Sequence, residues 1–486
     1  MIDTRPSPLL SRPAPSADRS TGWPGPTTMA VGLAGLFCAL YTLLSIRRHA
    51  RMLSAAYDLG IFEQAVRSYA HGHLPVSELK GAGYQLLGDH FHPVLAVLAP
   101  AYRLFPTPLT LLVAQAGLIA LACVPLTRWA HRTAGPVAGL VVGLGLGTSW
   151  GIVSAVAYDF HEIAFAVPLL AFTVEALGTG RWHRALLWSL PLLLVKEDLG
   201  LTVAAVGGYT AWRADGRRTR LLGLATALVG LAGTALQVGV LLPAMNTGGV
   251  FDYWHQLPGD GAQSAGTGGL PLPLRPFWPP VKYALLLMVA APSAFLALRS
   301  PLALLGLPTL SWRLVADNEH YWQPSYHYSA VLMPIVLGGL VDALRRHPGL
   351  CRQRALRRVL TACATVAAVG TLVYPLRELA LPATWRVPDH VRTAHRLLDA
   401  IPDGATVAAT NRLAPLLVAR ATVALVCHPP GPGGAEPPEW VVADATDPTV
   451  RTPCAAADTA TALARYRAAG YRAVADEDGI TVLRRP

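Results

Sequence analysis

The sequence predicts an all-α polytopic membrane protein with about eleven transmembrane helices, followed by a small C-terminal α/β domain. The chain of 486 residues is 52% hydrophobic and only 14% charged, and its mean hydropathy is +0.39. Soluble domains usually carry about 25% charged residues. The apolar residues come in long blocks that recur from Thr27 to about Arg377 and then stop. A bilayer core needs about 20 apolar residues per helix, which such blocks supply.

These blocks place the individual spans, each to within a few residues, and in lipid they should be helical because a helix satisfies its own backbone polar groups. Lys196-Glu197-Asp198 separates two of the shorter spans, which we interpret as two helices joined by a tight turn. The alternative is one broken helix, which would lower the number of spans by one and invert everything after it. The predicted spans are residues 27–46, 107–128, 135–157, 162–178, 184–196, 199–213, 221–243, 281–298, 301–316, 326–344 and 356–377.

Arginine is concentrated in one set of alternating loops, which the positive-inside rule assigns to the cytoplasm. The opposite short loops hold little beyond Lys196, Arg275 and Lys282. This pattern puts the N-terminus inside and the C-terminal domain outside the cytoplasmic membrane. Arg47, Arg48 and Arg51 oppose it locally, but the basic run 345–358 outweighs them. The basic residues are scattered between spans, so the net charge of +11 reflects topology, and we predict no nucleic-acid partner.

The domain organisation follows from shifts in composition. Residues 1–26 are rich in Pro, Ser and Arg and are predicted to be a disordered cytoplasmic segment, with no cleavable signal peptide. Residues 27–378 form the membrane domain, including a large first outer loop at 47–106. Residues 385–486 form the extracytoplasmic α/β domain. Its predicted elements are helices at 391–401 and 457–469, strands at 406–410 and 440–443, and a hairpin of 472–475 with 480–483.

The six cysteines leave one question open. Cys427 and Cys454 both lie in the C-terminal domain, and they could pair if that compartment is oxidising or remain two free thiols. No CxxC or Cys/His zinc spacing is present in the sequence.

Acidic and histidine residues form five clusters, all on the predicted outer face at a membrane boundary. Ionisable residues near membrane depth cost about 2.5–3.5 kcal/mol each on insertion scales, so they tend to be functional or paired. The convergence of five clusters on one side predicts the lining of one outward-facing cavity. The clusters are Tyr57–Gln64 with Asp58 and Glu63, Gly88–Pro93 with Asp89, His90 and His92, Tyr158–Glu162 with Asp159 and His161, Lys196–Asp198 with Glu197, and Asp317–Trp322 with His320 and Tyr321.

Each cluster also has an ordinary structural interpretation. Asp58 could cap a helix, since an apolar stretch follows it. Asp89 and His92 could hold a metal on an extended loop, although the spacing is not that of a helical site. The Tyr158–Glu162 segment could be a polar interhelical turn, and Lys196–Asp198 could be a self-neutralising ion pair. The cofactor therefore stays undetermined, with a divalent cation as one alternative.

The first four clusters, in order, resemble the motifs of DUF2079, a bacterial family of predicted membrane proteins. The resemblance covers about residues 30–486, and the bias towards Ala, Arg, Gly and Pro is similar to that of high-GC actinobacterial proteins. DUF2079 is in turn similar to the GT-C glycosyltransferases, which use lipid-linked sugars outside the cytoplasmic membrane. The resemblance implies a GT-C-like fold, a polyprenyl-phosphate sugar donor, an envelope acceptor and an inverting displacement.

The resemblance also implies roles for residues in the clusters. A catalytic acid is expected just after the first span, where Asp58 stands and Glu63 comes next. Asp58 is isolated, without an adjacent acidic partner, which leaves open whether Asp58 or Asp89 is the base. Lys196 is the favoured cation for the departing phosphate, with Arg313 as one alternative. The implied substrate-binding residues are His90, His92, Asp159, His161, Glu162, Lys196, Glu197, Asp198, His320 and Tyr321.

Two rival classes of function remain. A transporter or flippase of a lipid-linked substrate would place its site near the midplane on broken helices, often in inverted repeats. The sequence shows no such repeat, and its polar clusters lie at one boundary. A cell-envelope scaffold would tolerate substitution in the polar clusters and depend on the surface of residues 385–486.

Overall fold

The chain folds into a helical membrane domain and a smaller mixed domain at its C-terminal end. The structure is a computed structural model that describes residues 22–253, 271–428, 436–448 and 453–486. Residues 1–21, most of the segment predicted to be disordered, lie outside the described residues.

The helices of the membrane domain follow the apolar blocks of the sequence. Helix α1 begins with Pro26, whose missing amide donor costs nothing in a first turn, and ends with three basic residues, which suit the negative end of the helix dipole. The helices are α1 (Pro26–His49), α2 (Ile61–Ala70), α3 (Ala99–Leu104), α4 (Pro108–Leu121), α5 (Cys123–Ala134), α6 (Pro136–Gly147), α7 (Trp150–Ala157), α8 (Ile163–Gly178), α9 (Trp182–Ser189), α10 (Leu199–Arg213), α11 (Arg217–Leu236), α12 (Leu242–Met245), α13 (Val281–Ala290), α14 (Leu307–Val315), α15 (Leu332–Arg346) and α16 (Gln353–Val373).

Six helical segments of the described chain are long and apolar enough to cross a bilayer. Further apolar helices, such as Ile163–Gly178, are shorter than a full span. The prediction of a multi-pass helical membrane fold is thus confirmed, while the number eleven stays a prediction. The six segments are Pro26–His49, Pro108–Ala134, Pro136–Ala157, Arg217–Met245, His327–Arg346 and Gln353–Val373.

Several predicted spans are not continuous α-helices, and two of them have a clear cause for the break. The segment 184–196 forms α9 and then a 3-10 turn at Leu190–Leu194, where Pro191 cannot donate an intrahelical hydrogen bond. The segment 281–298 forms α13 and then breaks, because Ala294 and Phe295 both adopt the left-handed backbone conformation. The sequence prediction was wrong in treating each of these two segments as one straight helix.

The helices differ in how much of their surface is buried. The segment His327–Arg346, which ends with α15, is almost wholly buried and lies at the centre of the bundle. Helices α11 and α16 bury few residues and present apolar side chains such as Leu228 and Leu372 to the outside. Apolar side chains on the outer surface are what a lipid environment favours.

The C-terminal domain is built on a five-stranded sheet. Two short helices connect or flank it near its start, α17 (Pro382–Trp385) and α18 (Asp389–Leu398), and α19 (Ala456–Ala468) follows later in the chain. The strands are β1 (Thr406–Ala409), β2 (Thr422–Leu425), β3 (Trp440–Asp444), β4 (Arg472–Glu477) and β5 (Ile480–Arg484), in the order β2-β1-β3-β5-β4.

Strand β1 runs parallel to both β2 and β3, while β5 runs antiparallel to β3 and to β4. The predicted hairpin turns at Gly479, which has the positive φ that such a turn needs. The sequence did not reveal β2, an edge strand of only four residues. The question that the sequence left open for the cysteines has an answer here, because Cys427 and Cys454 form a disulfide.

Candidate active site

A cavity of about 760 Å³ lies where the polar clusters of the sequence meet. Ten of the thirteen candidate residues line it, although they come from four separate parts of the chain. The first outer loop, the turn before α8, the turn before α10 and the segment after α14 each contribute. The ten are Asp58, Asp89, His90, His92, His161, Glu162, Lys196, Glu197, Asp198 and Tyr321.

Asp58 lies on a short π-helical turn, Ala56–Gly60, that leads directly into α2. Such turns are rare and frequently occur at functional sites. The Asp58 Oδ1 atom is 3.1 Å from His161 Nε2, and 19% of the Asp58 side chain is exposed, against 5% for His161. The His161 ring is stacked on His327 at 3.7 Å between ring centroids. Asp58 is therefore a carboxylate that faces the cavity while a buried, immobilised imidazole holds it from behind.

A second pair is formed by Lys196 and Glu162. The Lys196 ammonium donates to Glu162 Oε1 at 2.8 Å, and only 1% of the Glu162 side chain is exposed. Both residues line the cavity, so a positive charge with a fixed position is available at its wall. A positive charge held in a poorly hydrated site interacts far more strongly with a developing negative charge than it would in water.

The side chains of the Gly88–Pro93 cluster in the first outer loop have different partners. Asp89 accepts hydrogen bonds from Lys80 at 2.6 Å and from Tyr253 at 3.0 Å. Burial alone would raise the pKa of Asp89, but His90 and Lys80 lower it below its ordinary value, so this carboxylate is ionised at neutral pH. His90 pairs with Glu197 at 2.8 Å.

His92 and Asp198 complete the polar wall. His92 is buried, which lowers its pKa to about 4 and keeps the imidazole neutral at pH 7. Its Nδ1 atom has no hydrogen-bond partner among the described residues. Asp198 accepts a hydrogen bond from the indole of Trp312 at 3.0 Å.

The metal site considered for Asp89 and His92 finds no support in this geometry. In the described part of the chain, no three or more His, Cys, Asp or Glu side chains come together in an arrangement that could hold a metal ion. Asp89 is instead engaged by Lys80 and Tyr253.

Three of the candidate residues lie outside the cavity. Glu63 is fully buried and accepts a hydrogen bond from the Tyr102 hydroxyl at 2.9 Å. Asp159 is buried behind the Asp58 turn, where its Oδ2 atom accepts a hydrogen bond from the Ala55 amide at 2.8 Å. His320 is exposed and packs edge-on against Tyr326. None of these three side chains lines the cavity.

The buried position of Glu63 leads to a prediction about stability. Burial raises the pKa of Glu63 to about 8 from an ordinary 4.5, although Tyr102 and Arg67 oppose the shift. The folded state thus holds a proton that the unfolded state releases above pH 4.5. The contribution of Glu63 to the free energy of unfolding is therefore fully present below pH 4.5. It falls by about 1.4 kcal/mol per pH unit as the pH rises from 4.5 towards 8.

Glu63→Gln should remove this loss while keeping an oxygen for the Tyr102 hydroxyl. We expect the thermal midpoint of the variant in detergent to exceed that of the wild type by more at pH 8 than at pH 5. The exposed Glu319→Gln is the matched control and should give the same difference at both pH values. Equal gains for Glu63→Gln at pH 5 and pH 8 would contradict the interpretation.

The cavity also has lining residues that the sequence did not single out. Lys80, Tyr253 and Trp312 all line it. One signal could have found Lys80: the chain has only three lysines, Lys80, Lys196 and Lys282, among 40 basic residues. In a chain that otherwise uses arginine, each lysine is an unusual choice, and the two side chains are not interchangeable.

The other side of the cavity is apolar. Side chains from α10, α11 and the π-helical turn Gln237–Leu241 that follows α11 line it, namely Leu201, Leu231, Ala235 and Val238. Leu231 is also 50% exposed on the outer surface of α11, so this wall lies close to the lipid-facing side of the domain. The cavity thus joins a charged wall to an apolar wall.

The fold is similar to that of two solved structures of ArnT. The structure of ArnT from Cupriavidus metallidurans bound to undecaprenyl phosphate matches with a TM-score of 0.52 and 13% identity, covering 96% of this chain and 98% of ArnT. Its apo state matches with a TM-score of 0.50 and 12% identity, covering 93% and 98%. At this level of identity the likeness shows the fold alone, and it confirms the predicted GT-C-like fold.

The sequence itself has a more direct match. No curated protein sequence matches the chain. Residues 48–482, by contrast, match the family described as predicted membrane protein (DUF2079), and these residues include the first four polar clusters and the C-terminal domain. The chain therefore belongs to the DUF2079 family of predicted membrane proteins.

Proposed function

We propose that this protein transfers a sugar from a polyprenyl-phosphate donor to a hydroxyl group of an envelope acceptor, with inversion at the anomeric carbon. The observation that carries the proposal is the divided cavity. Its charged wall presents Asp58 and Lys196, and its apolar wall is formed by α10, α11 and the turn that follows α11, next to the apolar outer surface of α11. A phosphate headgroup with a long apolar tail matches both walls at once.

In the proposed reaction, Asp58 acts as general base. Its carboxylate takes the proton of the acceptor hydroxyl as that oxygen attacks the anomeric carbon. The bond between that carbon and the phosphate oxygen breaks, and its electron pair leaves with the polyprenyl phosphate. Lys196 stabilises the negative charge that develops on the departing phosphate. His161 keeps Asp58 in place, since its ring is buried and stacked on His327.

The test is transfer by the purified protein from a panel of polyprenyl-phosphate sugars that varies in sugar and in lipid length. Turnover of at least one donor, with release of the polyprenyl phosphate, is the expected result. If no donor is turned over and none binds, the proposal fails and a transporter or scaffold becomes the better interpretation.

We also propose that the cavity and the C-terminal domain face the extracytoplasmic side of the cytoplasmic membrane. Two features support this orientation. Arginine is concentrated in the loops of the opposite side, and the disulfide between Cys427 and Cys454 is of the kind that persists in oxidising compartments.

Cysteine labelling tests the orientation. In a variant whose free cysteines are replaced, Ala464→Cys on the exposed face of α19 should react with an impermeant reagent in intact cells. Gly349→Cys, exposed in the loop before α16, should react only after the membrane is opened. The reverse pattern would invert the orientation. Gly261, predicted to lie on the outer side, is outside the described residues.

A further inference from the structure

The turn that carries Asp58 begins with two amides that need acceptors from elsewhere. Ala55 has an extended backbone, and the π-helical turn starts at Ala56. The turn is closed by a hydrogen bond from the Gly60 amide to the Ala55 carbonyl at 3.2 Å. The amides of Ala55 and Ala56 lie at the start of the turn. No carbonyl group within the turn can accept their hydrogen bonds, as at the start of any helix. Acceptors from other parts of the protein therefore decide where the turn sits.

The C-terminal domain supplies the acceptor for Ala56. The Ala56 amide donates to the side-chain Oδ1 of Asn411 at 2.9 Å and to the Asn411 main-chain carbonyl at 2.9 Å. Ala56 is fully buried, and Asn411 is 9% exposed. Asn411 stands 355 positions further along the chain, two residues after the end of β1. One short-range contact thus joins the C-terminal sheet to the Asp58 turn.

The sheet holds Asn411 from both sides. The preceding residue, Thr410, donates its amide to the Val442 carbonyl at 3.1 Å and accepts from the Asp444 amide at 3.2 Å. The following residue, Arg412, donates its amide to Asp447 at 3.1 Å. Asn411 is therefore fixed just after the carboxyl end of β1, which makes it a rigid support.

The membrane domain supplies the acceptor for Ala55. Asp159 accepts from the Ala55 amide at 2.8 Å, and it does so from a left-handed conformation with φ of 68°, which Asp tolerates better than most residues. Gln115 fixes this turn by donating to the Asp159 carbonyl at 2.6 Å and accepting from the His161 amide at 3.0 Å. The same glutamine thus positions Asp159 and His161, which is the partner of Asp58.

We propose that Asn411 and Asp159 are positioning residues that hold the consecutive amides of Ala56 and Ala55 and so place the Asp58 carboxylate in the cavity. This inference rests on the proposed function, which gives Asp58 its role as base. It makes the C-terminal domain part of the active site. The helix after the turn is held by the same domain, because Gln64 donates to the Val423 carbonyl at 2.8 Å.

The test compares Asn411→Ala with Asn411→Asp in the full-length protein. The alanine variant loses the side-chain acceptor, while the aspartate variant keeps an oxygen in its place. We expect kcat of Asn411→Ala to fall about tenfold or more, because small misplacements of a catalytic group cost large factors in rate. The donor KM should change less than about twofold, since Asn411 does not line the cavity. Asn411→Asp should restore most of kcat, and Asp159→Ala should behave like Asn411→Ala, with Asp159→Asn restoring it.

A second readout needs no turnover. Amide hydrogen exchange of the peptide covering residues 55–62 should be about tenfold faster in Asn411→Ala, since the Ala56 amide loses one of its acceptors. If the wild type turns over no donor, the proposed reaction fails, and the exchange result still decides whether Asn411 holds the turn. If Asn411→Ala does not fold, Asn411→Ser, which is too short to reach Ala56, takes its place.

The matched control is Arg420→Ala. Arg420 donates to the carbonyls of Leu398 and Ile401 within the C-terminal domain and does not touch the Asp58 turn. It should lower the stability of the domain and leave both kcat and the exchange of residues 55–62 unchanged. Unchanged exchange in Asn411→Ala, faster exchange without any loss of kcat, or an equal loss of kcat in Arg420→Ala would each overturn the inference.

Discussion

Asp58→Asn is expected to lower kcat for sugar transfer by about 10²–10⁴, the range that a positioned general base supplies. Asparagine has nearly the same shape, and its amide oxygen can still accept from His161 Nε2, which lies 3.1 Å from Asp58 Oδ1. The fold and the donor affinity should therefore remain, while the group that takes the acceptor proton is gone. The measurement is single-turnover transfer from the best donor of the panel, with donor binding and thermal midpoint recorded for the same preparation.

Asp89→Asn is the matched comparison, because Asp89 is the other cavity carboxylate that the sequence offers as base. Asp89 is engaged by Lys80 and Tyr253, so we assign it to holding the cavity wall and expect a smaller loss of kcat. A large loss in Asp89→Asn together with unchanged turnover in Asp58→Asn would exchange the two roles. Glu63 is the least suitable base, since it is buried against Tyr102 and does not reach the cavity.

The residues gathered in the cavity show how far the sequence could predict the site. Ionisable residues next to long apolar blocks are costly, so their recurrence at one membrane boundary was enough to predict a shared cavity. Asp58, Glu162, Lys196 and Glu197 do meet there, although up to 139 positions separate them (197 − 58). Alternation of the spans places all of these turns on the same side of the membrane, and residues on one side can share a cavity.

The sequence could not predict in the same way which side chains of a motif point into the cavity. Glu63 follows Asp58 by five positions, but α2 begins between them and turns Glu63 away from the cavity towards Tyr102. Asp159 precedes His161 by two positions, and its left-handed backbone directs it to the Ala55 amide. Such directions depend on backbone conformation at single residues, which the spacing of a motif does not encode.

The contribution of the C-terminal domain was also beyond the sequence. Asn411 belongs to no cluster of charged residues, and its contact with Ala56 crosses 355 positions. The pattern of strands predicted the sheet, except for the short edge strand β2, but not which of its edges faces the first outer loop. A contact of this kind between two domains becomes visible only in the folded chain.

Lys196→Met is expected to have the second large effect, for two separable reasons. It removes the positive charge that the proposed mechanism places near the departing phosphate, a loss worth about 10²–10³ in kcat for one stabilising group. It also leaves Glu162, of which 1% is exposed, as a buried carboxylate without its partner at 2.8 Å. Breaking one side of a buried pair typically costs about 3–5 kcal/mol of stability. The single variant should therefore be both inactive and less stable.

The double variant Lys196→Met with Glu162→Gln separates these two effects. Removing both charges relieves the buried carboxylate, so the thermal midpoint should return close to that of the wild type. Transfer should stay as low as in Lys196→Met, because the charge at the phosphate is still absent. If turnover returned together with stability, Lys196 would serve only as the partner of Glu162. Lys80, the other lysine of the cavity wall, would then be the cation to test, with its own partner removed in Lys80→Met/Asp89→Asn.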